Sequence, residues 1–207
     1  MSWKIIGFMA DLIKLIELIQ NKYDEINQIW LKNNNYYPLN MKKYKVDDVY
    51  KNKDLLLHVL NYRNFVNEYA FYLTTSIQSL KINTIVNSRV KALNSIQFKI
   101  DNYEKNHENG KIPIKKCLND IFGIRMIFID ELDYNKIINF VKCNYPKLRC
   151  INSDKGEYKA IHIYFGNDNN KNFRWELQLW DKKHEKSNLL SHSKYKQEYT
   201  KWESDKN

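Results

Sequence analysis

The sequence predicts an α+β fold: a mixed β-sheet flanked by helices and preceded by a helical region. Three observations predict it. Apolar residues recur at helical spacing through the first ~80 residues. Beyond them, short β-branched and apolar runs alternate with helical patterns, an interleaving that builds a sheet with helices laid on it. Only 5 Gly and 3 Pro punctuate the 207 residues, which favours long helices over a turn-rich sandwich. A chain of this length suits one domain, so residues 1–207 are read as a unit, with a mostly helical region over 1–80 and a core over 84–196.

Each element has its own signal. Ile5, Met9, Leu12, Ile13, Ile16, Ile19, Tyr23, Ile26 and Trp30 predict a helix from Trp3 to about Lys32, and the polar stretch Asn33–Pro38 ends it as a loop. A second helix is expected over Asp47–Tyr62 and a third from Asn64 into the eighties, with Thr74 and Thr75 weakening its middle. Thr84–Lys91 is rich in β-branched residues and reads as a strand, after which Asn94 is the expected cap of a helix to Asn106. Asn106–Gly110 reads as a loop. Ile121–Ile129 reads as a buried strand and Tyr134–Cys143 as a helix. Ala160–Phe165 and Phe173–Leu179 read as strands joined by the turn Gly166–Asn170, and the charged tail after Lys182 as a helix.

Composition narrows the function classes. The hydrophobic share of 43%, with 15 Tyr, 9 Phe and 5 Trp, argues against disorder. The net charge of +10 suits a phosphate-rich partner, because basic surface gains by releasing counterions from nucleic acid. It equally suits a solvated lysine-rich surface, so charge alone does not choose. Cys117, Cys143 and Cys150 form no metal-binding spacing and no even disulfide set, which points to a reducing, cytoplasmic setting. The apolar run near Ile5 is broken by Asp11, Lys14 and Glu17, far short of the ~20 residues a membrane span needs.

Four stretches can carry chemistry. In Arg89-Val90-Lys91, strand alternation points both cations one way, and Ser95 and Lys99 share a helix face, so a strand–helix corner offers a cradle for a triphosphate. Asp120 stands at the mouth of an apolar strand, where a carboxylate can hold Mg²⁺ against phosphate, and Arg125 lies within that strand, where an arginine needs an anionic partner. Tyr158 and His162 flank the start of another strand; an aromatic there can stack on a base. Along Phe173–Trp180, alternation sets Phe173, Trp175, Leu177 and Leu179 on one face and Arg174, Glu176, Gln178 and Trp180 on the other, so Glu176 can act as base or metal ligand with Gln178 beside it. Taken singly, each pattern also suits ordinary surface charge, a structural ion pair, a structural histidine or an amphipathic edge strand.

Together, in order, these pieces resemble the synthetase domain of the RelA/SpoT-homologue family, the alarmone synthetases. Its R-x-K-x-x-x-S-x-x-x-K spacing is met by Arg89, Lys91, Ser95 and Lys99, and its D-x-x-[GA]-x-R segment by Asp120, Gly123 and Arg125. The G-Y-[RK]-[SA]-[LI]-H motif appears as Glu157–His162, the E-[IL]-Q-[IL] strand as Glu176–Leu179, and the A-H-W-x-Y-K element is echoed by Ser191–Lys196. The resemblance implies a nucleotidyltransferase-like synthetase domain. It implies ATP as pyrophosphate donor, held by Arg89, Lys91, Ser95 and Lys99, and Mg²⁺ held by Asp120 and Glu176. It also implies Glu176 helping to deprotonate a 3′-hydroxyl, and an acceptor bound at Tyr158, His162, Gln178 and Arg125. No histidine-rich hydrolase pattern accompanies it, so the likeness is to a small, synthesis-only member. The chain departs from the family at Asp154–Tyr158 and at Trp180-Asp181, where an Arg-Thr is common. Its W-E-L-Q-x-W strand is similar to the toxic branch, which implies the 3′-CCA end of tRNA as acceptor and an antitoxin protein as partner. The alternative acceptor is GDP, GTP or an adenosine nucleotide.

Overall fold

The computed structural model describes residues 3–33 and 39–204. Helix α1 spans Trp3–Asn33, with Leu12, Ile16, Ile19, Tyr23, Ile26 and Trp30 forming one buried stripe. The loop expected at Asn33–Pro38 falls, beyond Asn33, outside the described residues. Helix α2 spans Lys53–Gln78 and replaces the two helices expected over 47–62 and from 64 onward. Asn52 caps it, accepting from the N–H groups of Asp54 and Leu55 at 3.0 and 3.1 Å. Its stripe of Val59, Tyr62, Val66, Leu73 and Ile77 runs straight through the boundary between the two expected helices. Thr74 does not interrupt it either, because its hydroxyl donates to the Ala70 carbonyl one turn back at 2.8 Å.

Five strands follow, β1 (Thr84–Val90), β2 (Phe122–Phe128), β3 (Arg149–Asn152), β4 (Ile161–Phe165) and β5 (Trp175–Asp181), in the spatial order β1-β2-β5-β4-β3. Only the β2–β5 pair is parallel, so the sheet is mixed as expected. β5 is therefore an inner strand, and β3, absent from the sequence reading, forms an edge against β4. Helix α3 (Leu93–Asn106) follows β1, the single turn α4 (Ile114–Cys117) precedes β2, α5 (Tyr134–Asn144) follows β2, and α6 (Glu185–Ser204) closes the chain. The expected Asn94 cap is corrected: Ala92 stands at the N-cap with no side-chain bond, and Asn94 lies inside the helix. No described helix is long and apolar enough to cross a membrane.

One sheet face is apolar and packs on α1 and α2. Phe122, Ile124, Met126, Trp175, Leu177, Leu179, Ile161 and Ile163 share a buried cluster with the two helical stripes. A buried polar spine fixes the register between the layers. Trp175 Nε1 donates to the Tyr62 hydroxyl at 3.0 Å, Tyr62 donates to Asn27 Oδ1 at 3.1 Å, and the Tyr23 hydroxyl donates to the Phe173 carbonyl at 2.9 Å. These bonds anchor β5 from below, so residues on its opposite face stand on a fixed platform.

His58, on α2, packs edge-on to Trp30 at 5.4 Å, and burial pulls its pKa down to about 4. Its Nε2 is buried with no hydrogen-bond partner among the described residues. A histidine held neutral in the fold costs nothing above the unfolded value of 6.5 and destabilises progressively as pH falls from there toward 4. His192, on α6, is depressed in the same direction. The urea midpoint is therefore expected to fall between pH 7.5 and pH 5, and His58→Phe to shrink that fall; an equal fall in the variant would remove His58 from the account.

Candidate active site

The second sheet face carries the polar residues, and the strand register arranges them in rows. Arg89, Gly123, Glu176, Tyr164 and Arg149 lie side by side from β1 to β3, and Asn87, Arg125, Gln178, His162 and Ile151 form the next row. Gly123 leaves the floor between Arg89 and Glu176 bare, since any side chain there would stand between them; a Cβ would meet only Arg89 atoms, at 3.9 Å. The strip of this face over Gly123, between the Arg89 cation and the Glu176 carboxylate, is thus a trough that carries no side chain.

At one end of the trough, Lys91, just past β1, and Lys99, on α3, converge on Asp120, just before β2. Lys91 Nζ lies 2.6 Å from Asp120 Oδ2 and Lys99 Nζ 2.9 Å from Oδ1. Burial pushes the Asp120 carboxyl up, but Lys99 and Lys91 outweigh it and hold it well below the usual carboxylate range. Burial lowers the Lys91 ammonium in spite of Asp120, whereas Lys99, also buried, is held up by the same carboxylate. Two ammonium groups share one carboxylate, so the cluster carries one uncompensated positive charge with little access to water. Such a cluster is an anion receptor. Ser95 stands one turn before Lys99, half-buried, its N–H accepted by Asn94 Oδ1 at 2.8 Å.

Glu176 is 5% exposed and bonded on both oxygens. His162 Nδ1 lies 3.0 Å from Oε1, and Gln178 Nε2 donates to Oε2 at 2.7 Å. Burial pushes its carboxyl up, but these two donors outweigh it, and the net direction is down. Two donor-only groups set the direction of the network. Arg125 Nε donates to Gln178 Oε1 at 3.1 Å, which turns the Gln178 amide nitrogen toward Glu176. Trp180 Nε1 donates to the Tyr158 hydroxyl at 3.3 Å, which directs that hydroxyl proton to His162 Nε2 at 2.8 Å and leaves Nδ1 to donate to Glu176.

Beyond this network an aromatic stack closes the trough. The Arg125 guanidinium lies 3.8 Å from the Trp180 ring centre, His192 stacks on the same ring at 5.6 Å, and Arg125 Nη2 donates to His192 Nε2 at 3.1 Å. Burial, then Arg125 and Arg89, bring the His192 pKa down to about 4, so it is a neutral acceptor. The ring edges of Tyr158 meet Trp180 and His192. Tyr158 is presented by a tight turn in which Lys155 and Tyr158 exchange both backbone bonds at 3.0 Å, with Gly156 at φ +57°. Beside it opens a cleft of about 520 Å³ lined by Lys155, Tyr158, His162, His192 and Lys194.

The fold thus brings Lys91, Lys99 and Asp120 together, and separately Arg125, Tyr158, His162, Glu176 and Gln178, with Arg89 on the same face as Glu176. Sequence reasoning assigned no task to Trp180 or His192. Alternation already placed Trp180 beside Glu176 and Gln178, and that was the available signal. Trp180→Phe keeps a ring under Arg125 but deletes the N–H that directs Tyr158. Turnover is expected to fall about 3- to 10-fold, with the KM for ATP unchanged, from loss of one buried hydrogen bond. The imidazole ¹⁵N signals of His162 should shift from the Nδ1–H tautomer toward a mixture; an unchanged tautomer would contradict the relay.

Asp120 and Glu176 suit Mg²⁺ as donors. Both are hard oxygen ligands, and Asp120 is near enough to push the Glu176 carboxyl up. Among the described residues no group of three or more His, Cys, Asp or Glu gathers to cage an ion. Mg²⁺ favours one or two carboxylates together with phosphate oxygens, and each oxygen of Asp120 and Glu176 already meets a lysine, His162 or Gln178, so an ion would share them with those groups.

The family model for the region found in RelA / SpoT proteins matches residues 88–200, more than half of the chain. Among solved structures, the chain is similar to the small alarmone synthetase 1 from Bacillus subtilis, at 17% identity over 72% of this chain and 82% of that one, with a TM-score of 0.44. It is also similar to a GTP pyrophosphokinase family protein from Streptococcus pneumoniae, at 16% identity over 68% and 74%, with a TM-score of 0.42. Comparison with curated protein sequences finds no match. The matched region begins within β1, takes in Arg89, Lys91, Lys99, Asp120, Arg125, Tyr158, His162, Glu176 and Gln178, and ends within α6. The chain belongs to the RelA/SpoT family.

Proposed function

We propose that the chain transfers pyrophosphate from ATP to the 3′-hydroxyl at the CCA end of tRNA, as a toxin-type small synthetase that blocks translation. The observation that carries the reaction is the Lys91–Asp120–Lys99 cluster, a buried site with excess positive charge on the same sheet face as Glu176. In this reading Arg89, Lys91, Ser95 and Lys99 hold the donor, with the lysines on its phosphates. Glu176 accepts the proton of the 3′-hydroxyl while His162 and Gln178 hold the carboxylate in position. The 3′-oxygen bonds to the β-phosphorus, the bond from that phosphorus to the α,β-bridging oxygen breaks, and AMP leaves with that oxygen. The task is positioning and charge neutralisation, with no covalent enzyme intermediate. Mg²⁺, held by Asp120 and Glu176 with the phosphates, would supply further neutralisation of the triphosphate. Tyr158 offers its ring to the acceptor base, with His162, Gln178 and Arg125 behind it.

Charge supports the tRNA acceptor: a net +10 suits a polyanion, whereas a small nucleotide needs only a local cluster. At the strand end, Asp181 is 3% exposed and accepts from the Leu132 N–H at 2.6 Å, so its carboxylate faces the protein body. The toxic-branch reading brings a protein antitoxin as partner. Incubation with γ-labelled ATP and either deacylated tRNA or GDP tests the acceptor. Label on the terminal adenosine of tRNA is expected; label on the nucleotide alone would turn the reading to an alarmone synthetase.

A further inference from the structure

A second cleft opens at the other end of the trough from Tyr158. It encloses about 460 Å³, and its lining includes Lys42, Lys115, Lys116, Arg149 and Arg174, with Asn119 at its inner rim. It is continuous with the catalytic face. Arg174 precedes Glu176 by two residues on the same side of the β5 line, about 7 Å along an extended chain. Arg149 stands in the same cross-strand row as Glu176, its guanidinium 5.7 Å from the Tyr164 ring between them. Asn119 adjoins Asp120 in the chain.

The charges of the cleft are unbalanced. Its one acidic residue among the described residues is Asp168, which is paired with Lys147 at 3.1 Å. None of the five cations forms an ion pair among the described residues; Lys115 Nζ donates to the neutral Asn169 carbonyl at 2.9 Å. Burial, then Arg174 and Lys42, bring the Lys115 ammonium down to about 8, and Asp168 only partly offsets them. They are also held firmly. Met41 N–H donates to the Asn170 carbonyl at 2.8 Å and Lys115 N–H to the Met41 carbonyl at 3.1 Å, so three chain segments are tied around the opening.

We propose that this cleft binds backbone phosphates of the RNA strand whose terminal ribose reaches Glu176. The inference rests on the RNA-acceptor reading and adds a second contact region to it. A free nucleotide ends at its 5′-polyphosphate, whereas a strand continues past that point, and a row of uncompensated cations beginning one side chain from Glu176 offers that continuation a path. Phosphate contacts of this kind fix the strand's position without reading its sequence.

The test uses the full chain carrying Lys42→Glu and Lys116→Glu, both exposed positions. Binding of deacylated tRNA is followed by fluorescence anisotropy across a salt series, and transfer to tRNA and to GDP by γ-labelled ATP. The expected result is at least a tenfold weaker tRNA affinity, a salt slope reduced by about 1 to 2, and a matching rise in KM for tRNA, with transfer to GDP, if any, changed less than twofold. Unchanged tRNA affinity overturns the cleft while leaving the RNA reading intact. Loss confined to the GDP reaction assigns the cleft to the polyphosphate of a free nucleotide and overturns the RNA assignment. Absence of RNA labelling by the wild-type chain defeats the acceptor reading and the cleft's RNA role together.

Discussion

Glu176→Gln is expected to lower pyrophosphate transfer by about 10³-fold while leaving ATP affinity within a few fold. The substitution keeps shape and burial but removes the charge that accepts the 3′-hydroxyl proton. It also disturbs the partners: His162 Nδ1 and the Gln178 amide both donate to the present carboxylate, and a glutamine offers one oxygen to two donors. ATP affinity is largely spared because the donor's phosphates are assigned to Lys91, just past β1, and Lys99, on α3, and Asp120 remains to hold Mg²⁺ with them. Single-turnover transfer and equilibrium binding of α,β-methylene ATP separate the two effects. Equal losses in both would place Glu176 in donor binding and leave the base unassigned.

Asp120→Asn has the largest expected effect on stability. Lys91 and Lys99 side chains are 7% and 15% exposed, and Asp120 is their shared counter-charge. Removing one member of a buried pair leaves charge without a partner, a loss of about 3–5 kcal/mol. For a chain of this size that corresponds to a fall of roughly 6–20 °C in Tm. The same variant tests the anion site. Saturating α,β-methylene ATP should recover several degrees, because phosphate oxygens replace the missing carboxylate beside the two lysines. Calorimetry of the variant with and without the analogue measures both. A variant as stable as the wild type would mean that the cluster holds no net buried charge.

Much of the fold was legible because its strands have strong periodic signals. β5 is the clearest case: Phe173, Trp175, Leu177 and Leu179 pointed to the core, and Glu176 and Gln178 to the other face. That division holds in the folded chain, where Glu176 and Gln178 hydrogen-bond to each other. The amphipathic pattern had equally suited an edge strand, but β5 lies between β2 and β4. β3 was invisible because Arg149-Cys150-Ile151-Asn152 has only two apolar residues and gains its strand geometry from pairing with β4. Two helices are expected over 47–62 and from 64 onward, whereas Val59, Tyr62 and Val66 carry one buried stripe across that boundary in a single helix.

The site divides in the same way. Strand and helix spacing placed Arg89 with Lys91 and Ser95 with Lys99. The meeting of Lys91 with Asp120, 29 residues away, depends on β1 pairing antiparallel with β2, which no local pattern encodes. Alternation sets Trp180 on the face of Glu176 and Gln178, but its stacking on His192 is not encoded locally, because the α6 histidine meets it only once the helix folds back over the sheet. The basic cleft draws on Lys42, Lys115, Arg149 and Arg174, four separate stretches whose lysines and arginines look like solvated surface one at a time.

The most direct test of the trough's chemistry is the fate of the α-phosphate. With α-labelled and γ-labelled ATP in parallel, and deacylated tRNA as acceptor, one AMP should appear for each γ-label that enters the RNA. Accumulation of ADP in place of AMP would show that the bond between the β- and γ-phosphates is the one broken, and the assignment of Lys91, Lys99, Asp120 and Glu176 to pyrophosphate transfer would not survive it.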